Sequence, residues 1–94
     1  MKSLDRKSIE LGPEWDNELR EILKQTLKEV GAVFSNHSWG VVGSQEIETL
    51  DVTIGDQKLH VEAETYMGLS LSGPPEFVDA IAKQIMEKYR KPPV

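Results

Sequence analysis

The sequence predicts an α+β domain: two helices packed on one face of a four- or five-stranded, mainly antiparallel sheet, in the order (β)-α-β-β-β-β-α. Three observations predict it. Apolar residues recur at helical spacing from 15 to 30 and again from 77 to 89, the stretch between them alternates with a period of two, and a Gly-Pro step precedes each helical stretch. Each helix then has one apolar stripe and most strands one apolar face, so stacking both helices on one side of the sheet buries them together. The other side of the sheet is left bare.

The first strand is read from Ser8, where Ile9 and Leu11 alternate with Ser8 and Glu10; residues 1–7 and 91–94 are expected to fray around a single domain spanning 1–94. Gly12-Pro13-Glu14 carries helix-start chemistry, and Trp15, Leu19, Ile22, Leu23, Leu27 and Val30 form one stripe that Gly31 closes at the C′ position. Extended segments follow in Val33 to Val42, with a turn or bulge expected near Asn36-His37-Ser38-Trp39-Gly40. Leu50, Val52 and Ile54 share one face of the next strand. Gly55-Asp56 suits a type II′ hairpin turn, after which Leu59, Val61, Ala63 and Thr65 share a face opposite His60, Glu62 and Glu64. Residues 59–71 stay in phase at odd positions, which fits either one bent strand or two. Ser72-Gly73-Pro74-Pro75-Glu76 stops the sheet and starts a helix with Phe77, Ile81, Ile85 and Tyr89 on its buried stripe, widened by Val78, Ala80 and Ala82; Pro92-Pro93 ends the chain in an extended tail. The two strand-Gly-Pro-acid-aromatic-helix junctions echo each other, and capping chemistry alone accounts for the echo.

Composition excludes whole classes of function. The 94 residues carry 11 basic and 16 acidic side chains, a formal charge of −5, and no cysteine, so a disulfide scaffold, a thiolate zinc site and a cysteine nucleophile are absent. The acidic balance argues against a nucleic-acid partner. No apolar run approaches the roughly 20 residues of a membrane span, and no apolar signal core follows residues 1–7, so a cytoplasmic protein with no membrane partner is expected. Nothing calls for a cofactor or metal.

The Gly55-Asp56 turn sets a register in which Thr53 faces Lys58, Asp51 faces His60 and Thr49 faces Glu62. An acidic ladder results, extended by Glu64 and by Glu46 or Glu48. Asp51, His60 and Glu62 are of metal-ligating type, but their spacing is generic; a solvated face, with protonated His60 pairing with Asp51 at mildly acid pH, explains them more simply. Carboxylates opposite one another repel, and a cationic partner covering Glu62 and Glu64 relieves that repulsion. His37, Ser38 and Asp51 have the residue types of a hydrolase triad without a nucleophile elbow, and a local bend accounts for them. Trp39 and Tyr66 fit core packing, or else exposed contact anchors. Gly40-Val41-Val42-Gly43-Ser44 lacks the Gly-Lys-Ser/Thr ending of a phosphate loop.

The helix–strands–helix order resembles the outline of double-stranded-RNA-binding domains, but their final helix begins with a basic cluster and this one begins Glu76-Phe77-Val78-Asp79. Lys83, Lys88, Arg90 and Lys91 make the end of that helix basic, which complements its dipole. The resulting expectation is a small acidic protein-binding module, such as an inhibitor or immunity-type protein for a basic partner, using Asp51, His60, Glu62 and Glu64, with Trp39 and Tyr66 as contacts. The alternatives are a homodimer built by edge pairing or sheet stacking, and, further off, a His/carboxylate enzyme or metal-binding protein. No catalytic residue is assigned.

Overall fold

The computed structural model describes residues 6–89. The elements run β1 (Lys7–Gly12), α1 (Asn17–Glu29), β2 (Val33–Val42), β3 (Gln45–Ile54), β4 (Gln57–Glu64), β5 (Gly68–Gly73) and α2 (Pro75–Tyr89). They form one five-stranded sheet in the order β1-β5-β4-β3-β2, every neighbouring pair antiparallel, which is the α+β topology read from the sequence. Residues 59–71 are two strands, parted by a turn at 65–67. Lys7 opens β1 and Arg6 precedes it without regular structure; residues 1–5 and 91–94 of the expected fraying, with the Pro92-Pro93 tail, Arg90 and Lys91, lie outside the described residues.

Local chemistry sets the helix ends. The first helix begins later than the Gly-Pro step suggests: the Asp16 side chain accepts a hydrogen bond from Leu19 N at 3.1 Å and caps α1. A carboxylate satisfies an otherwise orphaned amide, which Gly12 cannot do with a side chain. Residues 13–16 close a turn of their own, with Asp16 N donating to Pro13 O at 3.3 Å, and this turn leaves Trp15 outside the helix and 72% exposed rather than on its buried stripe. At the other end Ala32 N bonds Leu27 O and Gly31 N bonds Lys28 O, both at 3.0 Å, the Schellman pattern expected of Gly31. In α2 the buried stripe is Val78, Ile81 and Ile85; Phe77 is half-buried, and Ala80 and Tyr89 face solvent. The burial therefore follows i, i+3, i+7 and not a strict spacing of four, as the 3.6-residue turn dictates.

The helices lie side by side on one face, α2 over β1 and β5. Leu19, Leu23 and Leu27 of α1 and Val78, Ile81 and Ile85 of α2 meet Val52, Leu59, Val61, Ala63, Leu69 and Leu71 of the sheet in one core. Burying each of the larger side chains contributes about 1.5–3 kcal/mol. No helix among the described residues is long and apolar enough to cross a membrane. The two Gly-Pro junctions lie at opposite ends of the antiparallel β1–β5 pair and differ in build, α2 starting at Pro75 directly and α1 only after its extra turn.

Two helices do not roof five strands. The inner face of β2 and part of β3 stay open, and a bulge decides what they show. Ser35 pairs with Asp51 and Ser38 with Thr49, so Asn36 and His37 together oppose Leu50, and Asn36 takes a left-handed φ of 52°. The extra residue shifts the alternation, which puts Trp39 and Val41 on the same face as Phe34.

Candidate functional site

The bare face of the sheet is the one the strand alternation points to. The hairpin register is Thr53↔Lys58, Asp51↔His60 and Thr49↔Glu62, as the Gly55-Asp56 turn requires. Positive φ falls at Gly55 (63°) and not at Asp56, the pattern of a type II′ turn. On β5, Ser72 lies beside His60 and Ser70 beside Glu62. Asp51, His60, Glu62 and Glu64 thus share a flat face bordered by serines and threonines.

His60 stands between two carboxylates. Its Nδ1 donates to Asp51 Oδ1 at 2.9 Å and its Nε2 lies 3.8 Å from Glu62 Oε1. Asn36 Nδ2, from the β2 bulge, donates to Asp51 Oδ2 at 3.0 Å. These bonds, that from His60 foremost, hold the Asp51 carboxyl below its ordinary range. Glu64 moves the other way: desolvation, then its hydrogen bond with the Glu62 carboxyl and the repulsion between the two charges, push it up. Arg6 and Lys58 border the hollow beside Asp51 and His60. The uncompensated negative charge therefore lies toward Glu62 and Glu64. Glu10 joins them from β1, since it pairs with Ser70 and a Cβ on Gly68 would lie 2.5 Å from its Oε2. Its place on the face is legible only once β1 is known to pair with β5. Among the described residues no group of three potential ligands converges on a metal position.

Several expected site residues lie elsewhere. Glu46 and Glu48 do not extend the ladder; they pair with Val41 and Trp39 and share the parity of Leu50 and Val52, which puts them on the helix side. Trp39 is 60% exposed and Tyr66 76% exposed, so neither packs in the core, and neither joins the acidic face: Trp39 is on the opposite face and Tyr66 in the β4–β5 turn. No hydrolase triad forms from His37, Ser38 and Asp51, because His37 turns to the helix side while Asp51 turns away from it.

A second constellation occupies the helix side. Glu48 receives a hydrogen-bonded ion pair from Arg20 of α1 on one oxygen, and His37 Nε2 lies 2.5 Å from the other. The bond to His37, with the Arg20 charge, lowers the Glu48 carboxyl against the opposing effect of burial. These three groups stand over a groove of about 430 Å³ whose apolar floor includes Phe34, Leu50 and Val61. Arg20 reads as a wet-side helix residue from sequence, and no local signal couples it to Glu48 at a separation of 28.

No family model, curated protein or solved structure matches this chain.

Proposed function

We propose that this protein is a small cytoplasmic binding module that holds a basic protein partner against the bare face of its sheet, in the manner of an inhibitor or immunity-type protein. One observation carries the reading. Glu62 and Glu64 lie two positions apart on one face of β4, and among the described residues no lysine or arginine forms an ion pair with either; desolvation first, and then the bond and repulsion from Glu62, push Glu64 up. Repulsion of this kind is relieved when cations dock, and a net charge of −5 steers a basic partner toward it. The flat, Ser/Thr-bordered surface suits a protein face better than a small molecule, which needs a concave site. Asp51 and His60 mark one side of the footprint, Glu10 and Glu64 the other.

The test is an NMR titration of the uniformly labelled protein with a short Lys/Arg-rich peptide. Amide shifts confined to β3, β4 and β5 around Glu62 and Glu64, abolished by Glu62→Gln with Glu64→Gln and weakened by salt, are the expected result. Shifts spread evenly over the acidic residues of α1, such as Glu18 and Glu21, overturn the reading.

A second reading, self-association, draws on a different observation: Val33, Trp39, Val41 and Val42 are all exposed on β2, which among the described residues has no neighbouring strand on one side. The two imidazoles of the remaining alternative, a His/carboxylate enzyme or metal-binding protein, lie on opposite faces of the sheet, each bonded to a carboxylate, so they do not act in one site.

A further inference from the structure

Among the described residues the sheet has two free edges, and they are built differently. β1 is six residues long, carries Lys7 and Glu10, is distorted by a register shift between Glu10 and Gly12, and runs into Pro13. Charge, shortness, irregularity and proline are the devices that keep an edge from recruiting another strand. β2 is ten residues long, and the stretch Val-Phe-Ser-Asn-His-Ser-Trp-Gly-Val-Val contains no lysine, arginine, aspartate, glutamate or proline. Its bulge at Asn36 and His37 leaves Ser38 to Val42 as a regular segment, unroofed by either helix.

Strand alternation fixes which backbone groups that segment offers. The two-residue turn Gly43-Ser44 makes Val42 and Gln45 its closing hydrogen-bonded pair. In an antiparallel ladder the inward-bonding residues alternate, so Gly40 and Ser38 also bond toward β3, and the amides and carbonyls of Trp39 and Val41 point out from the free edge. We infer that β2 pairs antiparallel with β2 of a second copy of this chain, about a two-fold axis at Gly40. This deepens the self-association reading and rests on it.

The pattern is self-complementary about that residue. With Gly40 facing Gly40, Trp39 of each copy faces Val41 of the other, and these are the residues whose backbone groups are free to exchange both hydrogen bonds. Their side chains lie on the same face, so the indole of one copy covers the exposed Val41 of the other, an aromatic–β-branched pair of the favoured kind. Ser38 meets Val42 on the opposite face. Charge opposes the contact little, because the segment itself is uncharged and Glu48, the carboxylate beside Trp39, is paired with Arg20, which leaves Glu46 beside Val41 as the one neighbouring carboxylate without an ion pair among the described residues. A pairing of Ser38 to Val42 on each side belongs to the class of weak, concentration-dependent interfaces, which bury less than about 1,200 Å² in total. Such a pairing is isologous and closes on itself, which occupies both copies of the unguarded edge and stops growth at two chains.

The chain has no cysteine, so a single introduced thiol reports the axis directly. A Cβ at Gly40 meets nothing within 4 Å, and facing residues of a non-hydrogen-bonded antiparallel pair are about 4.5 Å apart at Cα, within disulfide range. Gly40→Cys is expected to form a disulfide-linked dimer in air roughly tenfold or more faster than Ser35→Cys on the same strand, because pairing raises the effective thiol concentration at the axis alone. Val41→Pro, which removes an outward amide and leaves the β3 ladder intact, is expected to abolish the dimer in sedimentation while the circular dichroism stays unchanged. A wild-type chain that sediments as a monomer up to about 1 mM overturns self-association and this pairing together. A wild-type dimer in which Gly40→Cys cross-links no faster than Ser35→Cys overturns the β2 axis and leaves self-association standing. If Val41→Pro fails to fold, the cross-linking comparison decides alone.

Discussion

Glu48 and Asp51 lie three positions apart on β3 and serve opposite faces of the sheet. Glu48 is held by Arg20 and His37 on the helix side, and Asp51 by His60 and Asn36 on the bare side. His37 and Asn36 are adjacent in sequence, so the β2 bulge feeds one polar residue to each face. One irregularity of a single strand thus ties two polar clusters together through the thickness of the sheet.

The Glu48 cluster ties α1 to the open β2–β3 ribbon, and Glu48→Gln is expected to lower stability at neutral pH by about 0.5–1 kcal/mol, as for a partly exposed network. The carboxyl sits below its ordinary value of 4.5 in the folded protein, so its contribution is present above that value and is lost as pH falls through the lowered one. Urea unfolding at pH 7 and at pH 3 measures this: the gap between wild type and variant is expected at pH 7 and is expected to narrow in acid. His37→Ala is expected to move the Glu48 midpoint up toward 4.5 in a carboxyl-detected NMR titration, since the bond to His37 is the largest cause of its depression.

Asp51 is lowered from 3.8 first by its bond from His60 and next by that from Asn36. Replacing His60 with alanine is expected to raise the Asp51 midpoint more than replacing Asn36 does. The stabilising effect of this pair exists above the ordinary Asp value and disappears as pH drops through the depressed folded one. Carboxyl titrations of the two single variants rank the bonds, and equal midpoints in both would contradict the ranking.

For Glu64 the sign reverses. Its carboxyl is raised above 4.5, so the folded protein favours the protonated form and loses stability as pH rises through that range. Glu62→Gln removes the charge and the shared hydrogen bond that help push Glu64 up, and is expected to lower the Glu64 midpoint and to raise the melting temperature at pH 7. At pH 3, below the raised Glu64 value, the difference between the two proteins is expected to shrink. Thermal melts at the two pH values check this, and the pH 7 difference is expected to shrink in high salt.

Gly68 is where β1, β5 and the acidic face crowd together. Its φ is 89°, and a Cβ there would lie 2.8 Å from Gly12 O and 2.5 Å from Glu10 Oε2. Gly68→Ala is expected to cost roughly 1–3 kcal/mol in chemical denaturation, from backbone strain and overpacking together. Glu10→Ala in the same background is expected to recover only part of the loss, because the Gly12 carbonyl cannot move as a flexible side chain can.

Much of this molecule is local. The period of two over 50–54 and 59–63 and the Gly55-Asp56 turn were enough to set the Asp51↔His60 and Thr49↔Glu62 pairs, because a hairpin turn fixes register and register fixes faces. The helix starts were harder to read. Asp16 and Gly12 both carry capping chemistry, and the turn at 13–16 separates them.

The sequence by itself determined the two helices, the hairpin register and the row Asp51, His60, Glu62, Glu64, since each follows from side-chain alternation within one or two neighbouring strands. Only the tertiary structure decided that β2 is an edge, that its bulge turns Trp39 and Val41 to the helix side, and that Arg20 reaches Glu48. The physical reason is coverage: whether an apolar residue on a strand is buried depends on what lies above it, and two helices are too narrow to roof five strands. A pattern of residues specifies which way a side chain points, and the packing of distant elements specifies what it finds there.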